Sequence, residues 1–442
     1  MSTQGPIEKS LRLRQDAFGV PSLPGFRGSP PEGGTPGFQT DSQSRHLRVA
    51  LIASSLRMGG AEKQTVYMAQ ALHEAGMDVR LFYLGAGGHY ETVLREMGVS
   101  VRQIHIPNKP WTILARLIGA LRRLRPDIVL VNQFGDLHYG AIAGRFCNAL
   151  TLGGVRSDGW YELRYHGCLS RLMVRLAHGL VANSSHARQT LVSQGIKPQK
   201  IEVLPNVIDL RDFDARSALP LPVSLPSGRV IAAAVGSLHP CKRFERFLEA
   251  LGLARRSEPA LTGVIAGADL GAKAALQARA DALGLGPEDV RFLGECHSVP
   301  ALLTRTAMLV LSSEYEGFPN VILEAMAARL PVITTQAGDA GLIVQHGDTG
   351  YVVEQEDTRG MAACMVQLAR SRSMRIKLGE AGRKRVEQEY NYQSLSSRLL
   401  AIYQNFARQE GRASLLEMLR RDIPSKNSET LSGSLALDCH AA

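Results

Sequence analysis

Cysteine is scarce in this 442-residue chain, and its six residues, Cys147, Cys168, Cys241, Cys296, Cys364 and Cys439, stand far apart with no CxxC pair. That spacing excludes a zinc ribbon and a disulfide framework, and it fits a reducing cytoplasm. No apolar run reaches the roughly 18 residues that a membrane-spanning helix needs. The chain is therefore expected to be soluble, or peripheral to a membrane, rather than integral. The sequence also has no GxxxxGK loop, no GxGxxG and no HExxH, which removes P-loop nucleotidases, GxGxxG dinucleotide binders and helix-borne zinc hydrolases. None of its twelve histidines has a second ligand at metal-binding spacing. Residues 1–46 lack both the apolar core of a secretory signal and any hydrophobic period, and read as a disordered tail.

What remains is a globular composition, 45% hydrophobic and 21% charged. Its length suits two domains of about 150 to 200 residues with tails. The net charge of +10 is uneven: +1 over residues 1–46, +8 over 47–210, +1 over 211–411 and 0 over 412–442. Arg116, Arg122, Arg123, Arg125, Arg164, Arg171 and Arg175 contribute to the basic block. Such a block either attracts an anionic membrane surface or a phosphate-bearing substrate, or is a solvated basic face. No nucleic-acid partner is expected.

Apolar runs of strand length alternate with amphipathic stretches. LRVALIAS at 47–54 is followed by a glycine loop and the helical AEKQTVYMAQALHEAG, and DVRLFYL, DIVLVNQ, the segment near Thr151–Val155 and LVANS continue the pattern. The proline-rich ARSALPLPVSLPSG at 215–228 interrupts it as a linker, assigned to 211–228. The alternation restarts with RVIAAAVGS, ALTGVIAGA, DVRFLG, AMLVLSS and PVITT, and SLSSRLLAIYQNFARQ is the last long helical stretch. This is an α/β chain with two parallel sheets: residues 47–210, residues 229–390, a helix at 391–411 that crosses back to the first domain, and a flexible tail at 412–442. Open sheets of this kind bind ligands beyond the carboxyl ends of their strands, so a cleft between the two domains is expected.

The most informative loop is SSEYEGFPNVILEAMAARLPVITT at 312–335. Pro319 suits a first helical position, which leaves Glu316 on the loop and puts Glu324 a turn or more into the helix. The opening N–H groups near Phe318, Asn320 and Val321 favour phosphate or sugar oxygens, and Pro319 has none to offer. By spacing alone, Glu316 and Glu324 are equally a helix-terminus carboxylate and a solvated helix residue.

The pattern Glu316-Gly317-Phe318-Pro319-Asn320 ending at Glu324, with AMAARLPVITT and HGDTGYVV downstream, resembles glycosyltransferase family 4, a retaining group of the GT-B superfamily. The likeness runs from about Leu47 to Gln409. It implies a GT-B fold: two facing Rossmann-like domains, acceptor first and nucleotide-sugar donor second, with a cleft between them and a C-terminal crossover helix. It also implies that Glu316 contacts donor-sugar hydroxyls, that Glu324 holds the ribose, and that Phe318 and Asn320 offer main-chain contacts. Lys242, in Val235-Gly236-Ser237-Leu238-His239-Pro240-Cys241-Lys242, falls on the donor diphosphate, where a cation neutralises charge growing on the leaving group. Gly59 and Gly60 resemble the family's glycine loop, where a side chain would block close approach.

Two positions depart from the pattern. Ser237 stands where many members carry an arginine. Either Lys242 and helix N-termini suffice, or Arg243 substitutes, or catalysis is weaker. Arg156 stands nearest to the place of a histidine, either pairing with acceptor phosphate or donor, or making a structural ion pair. Asp212-Phe213-Asp214 spells the metal motif of another glycosyltransferase fold, but it lies beside the linker.

The resemblance thus implies a metal-independent retaining glycosyltransferase, hexosyl or similar, with no cofactor beyond its nucleotide-sugar co-substrate. The acceptor would be a glycan or lipid-linked molecule in cell-surface polysaccharide or glycolipid synthesis, worked on in the cytoplasm or at the inner membrane face. A non-catalytic sugar-nucleotide-binding scaffold and a same-fold sugar-nucleotide epimerase are the alternatives.

Overall fold

The computed structural model describes residues 45–105, 109, 112–165 and 168–421. The first sheet contains β1 (Arg48–Ala53), β2 (Asp78–Tyr83), β3 (Ser100–Gln103), β4 (Ile128–Val131), β5 (Leu150–Val155), β6 (Gly179–Ala182) and β7 (Ile201–Val203). Its order is β3-β2-β1-β4-β5-β6-β7. The second contains β8 (Val230–Val235), β9 (Leu261–Ala266), β10 (Val290–Gly294), β11 (Met308–Leu311), β12 (Val332–Thr335) and β13 (Gly350–Val353), in the order β10-β9-β8-β11-β12-β13. All paired strands run parallel, with helices supplying the crossovers. The IVLV of β4 and the MLVL of β11, at the sheet centres, are buried along their whole length. A parallel sheet covered on both faces demands such uninterrupted apolar runs.

Chain order reverses between β1 and β4 in one sheet and between β8 and β11 in the other. A crevice therefore opens beyond the carboxyl ends of each pair.

Two crossings join the halves, and they are bonded to each other. The N–H of Ile208 donates to Tyr390 O (2.9 Å), and the N–H of Tyr392 donates to Ile208 O (3.0 Å). After the second crossing the chain forms the Leu395–Gln409 helix, which buries Leu395, Leu399, Leu400, Ile402, Tyr403, Phe406 and Ala407. That periodicity makes one apolar stripe. The stripe joins the first-sheet core of Leu51, Met68, Leu130 and Val181, so the helix does cross back. It ends at Gly411, whose φ of +65° suits a residue with no Cβ.

Three sequence expectations need correction. The segment assigned to a linker from 211 begins as a helix, Leu210–Ser217, because the Asp209 carboxylate accepts the N–H groups of Arg211 and Asp212 at its start. The segment assigned to a tail from 412 forms a helix over Ala413–Arg421, since Leu415 and Leu419, one turn apart, find the core. Pro319 is the cap before the Asn320–Ala327 helix, with extended backbone, rather than its first residue. The expected disorder of the N-terminal tail falls on residues 1–44, outside the described residues, as do residues 422–442. Among the described residues, no helix is long and apolar enough to cross a membrane.

Candidate functional site

The carboxyl ends of both sheets face one cleft of about 450 Å³. Gly59, Gly60 and Lys63 reach it from the loop after β1 and the Gly60–Glu74 helix. Gly236, Ser237 and Lys242 come from the loop after β8, and Glu316 and Phe318 from the loop after β11. Pro319, Asn320, Val321 and Glu324 belong to the helix start that follows. Arg156, just past β5, also lines the cleft. Of the residues that the resemblance sets around the donor, Gly317 does not line the cleft, and an added Cβ there would lie 2.7 Å from Ser157 O and 2.9 Å from Asn183 Oδ1.

Each glutamate is met by one lysine. Lys242 Nζ lies 2.6 Å from Glu316 Oε1, which also accepts from Ser313 Oγ at 2.7 Å. Lys63 Nζ donates to Glu324 Oε1 at 3.0 Å. The first pair joins two loops of the second sheet, whereas the second crosses the cleft. Burial pulls the Lys63 ammonium down and the Glu324 carboxylate outweighs that pull, so the group is held above the usual lysine range. Glu316 and Glu324 keep only 11% and 17% of their side chains exposed, which leaves little water to screen either pair.

An amide cluster fixes the helix start between the glutamates. Asn320 Oδ1 accepts from Asn206 Nδ2 (2.8 Å) and Gln64 Nε2 (3.3 Å). Gln64 in turn exchanges two bonds with Val207, at 2.8 Å and 3.0 Å. Gly60 backs onto this cluster so closely that a Cβ there would sit 2.6 Å from Asn320 Nδ2. Beneath the Glu316 loop, Gly338 adopts φ +57°, and a Cβ on it would fall 2.2 Å from Glu316 O. Only glycine accepts both that backbone and that proximity.

Arg156 is tied to Asn132, with Nε 2.9 Å from Oδ1, and its Nη2 lies 3.6 Å from Met68 Sδ. Among the described residues it makes no ion pair, so the structural-pair alternative does not hold. Burial pushes its guanidinium down to about 10, with the neighbouring Tyr403 pulling the other way. Arg243 does not stand in for a cation at Ser237: it sits at φ +50° and is paired with Glu245 (3.1 Å) and Glu314 (3.3 Å), away from the cleft. Asp214, of the DxD triplet, is gripped through both oxygens by Arg383 at 2.7 Å and 2.8 Å. Asp212 pairs with Arg216. Among the described residues, no cluster of three metal-ligating side chains occurs.

Lys63 and Asp339 escaped the sequence reading. Asp339, 4% exposed, accepts from the main-chain N–H groups of Ser185 (2.7 Å) and His186 (2.8 Å) across the halves. Its own N–H donates to Gly317 O (3.2 Å). The signal for Lys63 was its place three residues after Gly60, at the start of the helical stretch that follows the glycine loop, and nothing local marked Asp339.

Two family models match the chain. One, described as Glycosyltransferase Family 4, matches residues 58–212, and the other, Glycosyl transferases group 1, matches residues 229–371. The chain is 31% identical over 121 residues to N-acetyl-alpha-D-glucosaminyl L-malate synthase of Bacillus anthracis, a match covering 27% of this chain and 32% of that relative. To glycogen synthase of Mycobacterium tuberculosis it is 27% identical over 303 residues, 65% of this chain and 70% of that one. The solved structure of Anabaena Alr3699/HepE in complex with UDP and glucose superposes with a TM-score of 0.70 at 19% identity, covering 81% of this chain and 99% of that one. With a family match on each half and the GT-B architecture in both sheets, the chain belongs to the group 1 glycosyltransferases.

Proposed function

We propose that this chain is a retaining, metal-independent glycosyltransferase. It moves a sugar, hexosyl or similar, from a nucleoside diphosphate donor held on the second sheet to a glycan or lipid-linked acceptor entering along the first. The observation that carries this reading is the pair of glutamates in one cleft, eight residues apart, each engaged by a lysine. Glu316, on the loop, takes hydroxyls of the donor sugar, and Glu324, inside the helix, takes the ribose. The opening N–H groups of the Asn320–Ala327 helix and the main chain at Gly59 and Gly60 receive the phosphates.

When the bond from the anomeric carbon to the leaving phosphate oxygen breaks, its electron pair stays on the diphosphate, and Lys242 is the resident cation that neutralises the added charge. The acceptor oxygen bonds to the anomeric carbon on the face the leaving group vacates, and its proton passes to the leaving phosphate oxygen. Configuration is kept. Metal independence rests on Lys242 and on the engagement of Asp214 with Arg383. A nucleotide donor and a polysaccharide product are supported by the UDP and glucose in the Anabaena complex and by the glycogen synthase relative.

The site of action is the inner membrane surface. The helices Thr112–Leu124, Leu137–Arg145 and Cys168–Leu176 pack side by side. Phe146, just past the second, and Leu172, on the third, stand exposed, 57% and 50%, and Arg122 lies over the Phe146 ring at 5.5 Å. Exposed apolar side chains among arginines suit an anionic lipid surface.

The test is a melting panel with UDP, GDP, ADP and dTDP, followed by transfer assays with the matching sugar donors. A diphosphate at about 100 times its Kd adds about 2.7 kcal/mol of stability. Absence of any shift removes the donor reading, and loss of transfer in EDTA with recovery in magnesium or manganese removes metal independence. Ser237, uncharged in the cleft, motivates the second reading of a binding scaffold. A scaffold shifts in melting yet releases no diphosphate with any acceptor, and an epimerase turns over the sugar nucleotide without one.

A further inference from the structure

The pair between Lys63 and Glu324 occupies the carboxylate that the proposed function gives to the donor ribose. Glu324 presents 17% of its side chain to the cleft and spends Oε1 on the Lys63 ammonium at 3.0 Å. A ribose is neutral. A ribose diol that takes both carboxylate oxygens competes with the ammonium for Oε1 of a poorly screened carboxylate, and the ammonium it displaces then needs a new anion.

The same ligand brings that anion, since a diphosphate follows the ribose directly. The cations already lining the cleft are engaged elsewhere: Lys242 is shared with Glu316, Arg216 pairs with Asp212 and Arg156 is tied to Asn132, while Ser237 offers only a hydroxyl and Arg243 is held outside by Glu245 and Glu314. Lys63 is the fourth residue of the Gly60–Glu74 helix, so its flexible stem starts beside Gly59 and Gly60 at the cleft wall.

We infer that Lys63 is a donor-binding residue that works by exchange: in the empty cleft it neutralises Glu324, and on donor entry it passes to the diphosphate as the second cation beside Lys242. The inference rests on the donor reading given above. A free nucleoside breaks the pair and supplies no anion, whereas a nucleoside diphosphate breaks it and replaces it. The exchange therefore makes the cleft discriminate between the two. It also couples the halves, because Lys63 belongs to the first sheet's side and the ligand sits on the second.

Titration calorimetry on the full chain tests this, using UDP with uridine, GDP with guanosine and ADP with adenosine, for wild type, Lys63→Met and Lys63→Arg. Methionine keeps the apolar stem and removes the charge. Lys63→Met should weaken the preferred diphosphate about tenfold, the loss of one charge-assisted bond. The matching nucleoside should bind about threefold tighter or better, because Glu324 is then free. Lys63→Arg should restore most of the wild-type preference for diphosphate. If Lys63→Met weakens nucleoside and diphosphate equally, or leaves their ratio unchanged while melting like wild type, the exchange is wrong and the donor reading stands. If Lys63→Met does not stay folded, Lys63→Arg decides alone: a lost preference for diphosphate in that cation-keeping, folded variant overturns the exchange. If wild type binds none of the three diphosphates, the donor reading fails and takes the exchange with it.

Discussion

Asp339 closes on the main chain of Ser185, with its Oδ2 2.7 Å from that N–H, and thereby joins the loop after β12 to the start of the Ser185–Ser193 helix beyond β6. Its second oxygen takes the next N–H, of His186, and its own N–H holds Gly317 O. One buried residue thus ties the Glu316 loop, through its main chain, to the opposite half, through its side chain. Asp339→Ala leaves two helix-start N–H groups without their acceptor, at a cost of about 1 kcal/mol or somewhat more. Transfer should fall more than affinity for a free nucleoside diphosphate, because the second sheet holds that ligand without the clasp. Burial keeps the Asp339 carboxyl above the usual aspartate range, against the pull of the two N–H groups. A folded-state pKa above the unfolded one gives stability that is fully present at low pH and is lost as pH rises through the folded value. The excess melting temperature of wild type over Asp339→Ala should therefore shrink as pH rises from about 4 through that value. An excess that grows over that range counts against the assignment.

Gly60 offers a second check on closure. A methyl group there meets Asn320 Nδ2 at 2.6 Å, and Asn320 is not free to retreat because its Oδ1 is held by Asn206 and Gln64. Gly60→Ala should displace the helix start that faces the phosphates. The expected result is a raised donor KM, with melting lowered by no more than a few degrees. Steady-state kinetics at several donor concentrations read this directly, and an unchanged KM means the two halves do not approach so closely during turnover.

How far the sequence announced all this depends on locality. The inner strands β4, β11 and β12 are buried end to end, and β1 and β8 at all but their outermost residues, so they wrote themselves as apolar runs. The strands that went unread are β3, β7 and β13, each at a sheet edge. In β3 only Val101 is buried, so SVRQ carries no more hydrophobic signal than a loop. Glu316, Lys242 and Glu324 were legible because strand, loop and helix follow one another within a few residues. Lys63 and Glu324 are 261 positions apart, and Asp339 lies 154 from Ser185, so no local pattern connects them. Folding makes those contacts, and a window of sequence does not contain them.

The basic face predicts a salt-dependent partner. Sedimentation with anionic liposomes should be strong at low ionic strength and fall as salt rises, because the Debye length drops from about 30 Å at 0.01 M to about 8 Å at 0.15 M. Replacing Phe146 and Leu172 together by serine should remove the part of binding that salt leaves. Equal sedimentation with neutral vesicles, insensitive to salt, would sink the electrostatic part of this reading.

Glu316 and Glu324 separate the two ends of the donor, and their variants should separate in the same way. Glu316→Ala removes the acceptor of Lys242 and Ser313 on the loop, at the sugar end. It should leave binding of the free nucleoside diphosphate nearly intact, or tighten it, because Lys242 is released toward the phosphates. Transfer should fall steeply. Glu324→Ala removes the carboxylate inside the helix, and should weaken the free diphosphate by about 1 to 3 kcal/mol through the lost ribose bond. Part of that loss returns if the freed Lys63 turns to the phosphates, so the lower half of the range is expected. Calorimetry with the diphosphate and initial rates with the sugar donor give the two numbers for each variant, once melting shows both are folded. If Glu316→Ala lost diphosphate affinity as severely as Glu324→Ala, the division of the donor between loop and helix would be wrong. If neither variant changed binding or rate, the cleft would not be where the donor sits.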